Sequence, residues 1–72
     1  MDFKLLNDMM DEQSYKVIGI FTENDKDFVV YEDNNNDVLA SKYLLSGKKL
    51  ILLPIDGDSE WDLVDKYLET LV

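Results

Sequence analysis

The chain contains no cysteine and no histidine, and all seven of its basic residues are lysine. Without cysteine there is no disulfide and no thiolate metal site, and without histidine the common zinc sets cannot be completed. The same two absences remove thiol chemistry and nucleophilic triads that need an imidazole base. The lack of arginine removes the planar, bidentate donor that reads guanine, phosphate and carboxylate. Glycine occurs only three times, at isolated positions 19, 47 and 57, so no phosphate-cradling loop can be built. The longest apolar run, Leu50 to Ile55, is six residues, against roughly 20 needed for a membrane-spanning helix. Asp2 and Asp8 bracket an N-terminal segment with no h-region and no cleavage site, so no secretory signal is expected and the expected location is the cytoplasm.

What is present is acid. Sixteen Asp and Glu against seven Lys give a formal net charge of -9, which repels nucleic-acid phosphates and anionic lipid headgroups and argues against direct binding to either. A hydrophobic fraction of 46% is nevertheless enough to argue for a folded chain. At 72 residues the expectation is one domain, residues 1–72, burying roughly 60% of its unfolded surface and held by apolar packing, with self-association as a further support.

Along the chain the apolar runs read as strands. "YKVIGIFT" (residues 15–22) is rich in β-branched and aromatic residues and ends at the turn formers "ENDKD"; "FVVY" (28–31) precedes "EDNNND"; "VLASKYLL" (38–45) closes at "SGKK"; "LILLPI" (50–55) follows. Turn signals at hairpin spacing favour antiparallel neighbours. In the first strand, alternation puts Tyr15, Val17 and Phe21 on one side and Ile18 and Ile20 on the other, so both faces are apolar. After "DGD", Trp61, Val64, Leu68 and Leu71, with Tyr67 beside them, recur at helical steps. Asp58 or Ser59 is the expected cap, and Glu60 and Asp62 place negative charge in the first turn. Residues 2–10 fit a strand or a short helix. The expected fold is α+β: an antiparallel meander of four or five strands with one C-terminal helix packed on one face. The second face then needs the N-terminal segment, a curled sheet or a homodimer partner to cover it.

The pieces "YKVIGIF", "FVVYED", "LASKY", "KLILLPI" and above all "SEWDLVDKYLETL" resemble the YrzB-like family, small acidic bacterial proteins carrying a domain of unknown function. The resemblance covers most of residues 3 to 71. It implies that "FKLLND" is a strand paired through a turn with the strand containing Tyr15 to Phe21. Where family members tend to have an Asp-rich turn with Gly, this chain has Met9 and Met10, which implies a looser connection. The resemblance brings no reaction, cofactor or catalytic residue.

The candidate sites are weighed on chemistry. Asp33, Asn35 and Asp37 reproduce the opening of a calcium-binding EF-hand loop, but Val38 stands where its glycine belongs and Leu44 where its bidentate glutamate belongs. Asp56, Asp58 and Glu60 repeat the alternation, with Trp61 and Tyr67 at the two failing positions. Asn and Asp also stabilise turns by bonding their own backbone, so "DNNND" is read as a connector, with a divalent-cation site as the alternative. No catalytic, cofactor or metal residue is assigned; a carboxylate hydrolase is the most distant reading. Trp61 is assigned to the core, where it seats the helix. Tyr15, Tyr31, Tyr43 and Tyr67 are read as strand filler with solvated hydroxyls, with an aromatic surface as the alternative, and Lys48 and Lys49 as a solvated hairpin end. The partner-binding candidates are Glu60, Asp62, Asp65 and Glu69, expected off the apolar stripe and exposed. The expected function is therefore a non-enzymatic protein-interaction or regulatory module, its partner an unidentified protein. A stronger form of the same idea is a nucleic-acid mimic that inhibits a DNA- or RNA-binding protein.

Overall fold

A computed structural model describes residues 3–71, so the position of Asp2 falls outside the described residues. The order of elements is α1 (Phe3–Glu12), β1 (Lys16–Glu23), β2 (Lys26–Glu32), β3 (Val38–Ser46), β4 (Lys49–Leu53) and α2 (Gly57–Thr70). The strands form one antiparallel sheet in the order β1-β2-β3-β4. Among the described residues the meander is as expected, with four strands, and there are two helices rather than one.

The run "FVVY" shows how the layers are made. Phe28, Val29, Val30 and Tyr31 on β2 are all buried, because successive side chains enter opposite cores. Val29 and Tyr31 join Tyr43 on β3 under Leu6 and Met10 of α1. Phe28 and Val30 lie on the other side, toward Val64 of α2, which is also fully buried. Burying each such side chain stabilises the fold by about 1.5–3 kcal/mol before the entropy of ordering is subtracted.

The N-terminal segment is a helix, not the strand that the resemblance implies. Leu6 and Met10 are four residues apart and fully buried on one helical face, while Phe3 is exposed. Met10 is also where the helix is closed: Tyr15 N–H donates to the Met10 carbonyl (2.9 Å) and Ser14 N–H to that of Asp11 (2.9 Å), with Ser14 at φ 65°. This is a Schellman stop with serine in the left-handed position that usually holds glycine, and with Tyr15 packed back on the Met10 cluster. Ser14→Gly should therefore raise stability by about 0.5–1 kcal/mol in urea unfolding, since glycine relieves the left-handed backbone strain. A loss of stability would contradict this stop. With α1 in place, the second sheet face is covered by the chain's own N-terminal segment.

The parity expected for β1 is broken. Val17 pairs with Tyr31 and Gly19 with Val30, leaving Ile18 in a bulge. One extra residue reverses the alternation. Val17 and Ile20 therefore share the α1 face with Tyr15, Phe21 turns to the α2 face where its ring stacks on Phe28, and Ile18 is exposed.

The turns follow residue chemistry. Asn24 and Asp25 both take positive φ (52° and 61°) between β1 and β2, as a two-residue hairpin of type I′ requires. Gly47 at φ 59° opens the two-residue turn between Ser46 and Lys49. In the β2–β3 connection the Asp33 carboxylate accepts the N–H groups of Asn35 (2.9 Å) and Asp37 (3.0 Å), and Asn36 sits at φ 65°. "DNNND" is thus an Asx-type turn with one oxygen of Asp33 committed to the backbone.

Candidate functional site

The C-terminal helix carries the acidic candidates and the indole, and its rotation about its own axis decides which of them face solvent. Two contacts fix that rotation. At the N-terminal end, Glu60 is 6% exposed. Its carboxylate accepts hydrogen bonds from Lys26 Nζ of β2 at 2.9 Å, from Lys42 Nζ of β3 at 3.2 Å, and from the Asp56 N–H at 2.7 Å. Further along, the ring of Tyr67 stacks on Phe21 at 4.7 Å and lies over the bare α-carbon of Gly19. The inward line is therefore Glu60, Val64 and Tyr67, at steps of four and three, with Leu63 and Leu68 half-buried at its flanks.

This corrects two assignments. Glu60 is not on an exposed acidic face but in the helix–sheet contact, because two lysines and a backbone amide offset the cost of burying its charge. The helix begins with Asp56 extended (φ −121°, ψ 117°) as its N-cap, which makes no side-chain cap, in place of Asp58 or Ser59. Instead Glu60 reaches back to the Asp56 amide, satisfying one of the donors a helix start leaves unpaired.

Hydrogen bonding from Lys26, then from the Asp56 amide and from Lys42, holds the Glu60 carboxyl down at about 2, against the opposing effect of burial. Lys26 is raised in turn, chiefly by its hydrogen bond to Glu60. A depressed carboxyl stabilises the fold above its unfolded value and loses that contribution as pH falls through its folded value; a raised lysine contributes below its ordinary value and loses it on the alkaline side. Glu60 thus contributes fully above about 4.5, its ordinary value, and its contribution is lost as pH falls toward about 2. The gap in unfolding midpoint between wild type and Glu60→Gln should be widest near neutrality and shrink between about pH 4.5 and 2. A gap independent of pH across that range would show that the charge is not what matters.

Trp61 is a third correction. It is 48% exposed, one residue beyond the inward line, and is not the buried seat of the helix. It stands over a groove of about 170 Å³ lined by Val30, Val38, Leu39, Ala40, Val64, Asp65 and Leu68. Leu71 is likewise exposed, beyond the last helical turn.

Asp62, Asp65 and Glu69 are exposed, as expected. They are joined by Asp58, which the capping assignment had hidden. Residues 58, 62, 65 and 69 follow one another at steps of four, three and four, so the carboxylates form a single stripe along the helix, and Asp65 of that stripe lines the Trp61 groove. That spacing was readable in the sequence. Lys66 lies on the other flank, beside Leu63 and Tyr67.

The remaining candidates do not converge. Tyr15 and Tyr31 pack at 4.7 Å under α1 with Tyr43, while Tyr67 is on the opposite side of the sheet, so the four make no common surface. Burial pushes the Tyr43 phenol up. Among the described residues no group of three or more Asp or Glu is placed to hold a metal ion, and no helix is long and apolar enough to cross a membrane.

Comparison with known proteins places the sequence in a family. The profile described as "Protein of unknown function (DUF1292)" matches residues 8–72. A UPF0473 protein of Listeria monocytogenes serotype 4a is 31% identical over 78 residues, an alignment covering 94% of this chain and 78% of the relative. A UPF0473 protein of Listeria welshimeri serovar 6b is 30% identical with the same coverage. No solved structure matches the chain significantly. The comparisons do not carry the YrzB name, and the resemblance holds at the level of a domain of unknown function. With a profile matching nearly its whole length and relatives aligned over most of theirs, the chain belongs to the DUF1292/UPF0473 family of small bacterial proteins of unknown function.

Proposed function

We propose that this protein is a non-enzymatic cytoplasmic interaction module that uses the outer side of α2 to hold a basic segment of another protein. The observation that carries the reading is the half-exposed Trp61 over an apolar groove, bordered by the stripe of Asp58, Asp62, Asp65 and Glu69. A large aromatic anchor at the edge of a small apolar recess is the usual form of a binding hot spot. A row of carboxylates beside it selects lysine- or arginine-rich partners and accelerates their encounter. The partner that fits is an amphipathic segment with an apolar side chain for the groove and positive charges in register with the stripe.

Capture from a bacterial lysate tests this, with wild type, Trp61→Ala and the charge-reversed variant Asp58→Lys/Asp62→Lys/Asp65→Lys/Glu69→Lys immobilised in parallel. Wild type should retain a protein at low salt and release it at high salt. Each variant should lose that protein by about tenfold or more, the scale of a hot-spot truncation. Retention of the same proteins by all three, or retention indifferent to salt, would defeat the reading.

A further inference from the structure

The two edges of the sheet are not equivalent. The β1 edge carries the Ile18 bulge and packs against α1, devices that keep an edge from pairing with another chain. Among the described residues the β4 edge has neither, and its central residues, Leu50 to Leu52, are uncharged. The two-residue turn at Gly47 makes Ser46 and Lys49 a hydrogen-bonded pair, which fixes the pattern along the strand. Leu50 and Leu52 therefore direct their N–H and C=O groups outward from the sheet. On the α2 face beside this edge, beyond the reach of the helix, Leu44, Ile51 and Leu53 are 53%, 36% and 38% exposed.

Charge along β4 is polar. Its beginning carries Lys48 and Lys49, the only adjacent lysines in the chain, and its end runs through Pro54 to Asp56 and Asp58, all exposed. An antiparallel copy of the same strand reverses that order. We infer that β4 is a homodimer edge, two copies of this chain pairing antiparallel about a two-fold axis at Ile51. In that register Leu50 of each copy exchanges backbone hydrogen bonds with Leu52 of the other, and Ile51 meets Ile51. Lys49 of each copy then falls opposite Leu53 of the other and Lys48 opposite Pro54, two residues short of Asp56, so the lysine end of each copy faces toward the acidic end of the other. The contact is self-complementary, as a closed two-fold interface must be, and it continues the exposed leucines and isoleucine into one apolar surface. A foreign strand could satisfy the backbone, but matching the lysine-to-aspartate gradient on both partners favours a second copy.

Sedimentation of the full chain in about 0.15 M salt, where surface charges are screened beyond about 8 Å, should show a dimer that dissociates on dilution. Ile51→Lys should be monomeric with an unchanged circular dichroism spectrum, since Ile51 is partly exposed in the monomer. Lys48→Glu/Lys49→Glu should weaken the dimer by about tenfold or more, and adding Asp56→Lys/Asp58→Lys should restore it. Amide exchange at Leu50 and Leu52 should slow by about tenfold or more between dilute and concentrated wild type. A chain monomeric at the highest soluble concentration overturns the inference. So does a dimer that survives Ile51→Lys, or one whose Leu50 and Leu52 amides exchange at the dilute rate.

Discussion

Leu6→Ala is expected to cost about 2–5 kcal/mol of folding stability, the range for deleting a fully buried leucine side chain. Leu6 is 0% exposed and packs with Met10 against Val29, Tyr31 and Tyr43. At ten residues α1 is too short to hold its own helical form in water, so its helicity depends on that docking. The loss would be a large share of a total that, for a domain of this size, is roughly 4–11 kcal/mol. Urea unfolding measures it directly, with Asn7→Ala on the exposed side of the same helix as the control, expected within about 0.5 kcal/mol of wild type. If Leu6→Ala behaved like Asn7→Ala, α1 would not be the cover of this sheet face.

Gly19→Ala tests the opposite layer. Added to a strand for its own sake, a methyl in place of glycine stabilises by about 0.5–1 kcal/mol. Here the added carbon meets the hydroxyl and ring of Tyr67, a ring that also stacks on Phe21, which in turn stacks on Phe28. The ring cannot withdraw without breaking that stack or rotating α2. The expected net effect is a loss of about 1–3 kcal/mol, the cost of overpacking a fitted contact. Tyr67→Phe removes the nearest atom, so the double variant should recover part of the loss, a coupling of about 0.5 kcal/mol or more in a double-mutant cycle. A Gly19→Ala protein more stable than wild type would mean that Tyr67 does not sit there.

These two positions also show what the sequence discloses and what it withholds. Strands, turns and the C-terminal helix were legible because each rests on local chemistry: β-branched runs, Asn-Asp and Gly at positive φ, and a recurring apolar step. The helical form of residues 3 to 12 was not, since ten residues support a strand pattern and a helix pattern equally until Val29, Tyr31 and Tyr43 supply the surface that selects one. The bulge at Ile18 was hidden for a related reason. Alternation assumes strict pairing, and only the partner strand shows where one residue is skipped.

The candidate site was half legible. Asp62, Asp65 and Glu69 were placed on the outside by their offset from the apolar stripe. Trp61 and Glu60 were exchanged, for hydrophobicity ranks an indole inside and a carboxylate outside. The helix turned the other way because Lys26 and Lys42, far apart in sequence, converge on Glu60 and because Gly19 leaves room for Tyr67. Neither fact is local to the helix. The outcome is a helix anchored by a charge and presenting its tryptophan, an arrangement that a folding argument alone does not require and a binding argument uses.

Trp61 is the only tryptophan in the chain, so its fluorescence reports on the proposed surface alone, once a captured partner free of tryptophan or a basic fragment of it is in hand. The most direct measurement is acrylamide quenching of that emission with and without the partner. Quenching should be ready in the free protein, strongly reduced when the partner binds, and unreduced when the partner is added to the variant with the carboxylate stripe reversed. An indole already shielded in the free protein, or one equally accessible after the partner has bound, would contradict the account.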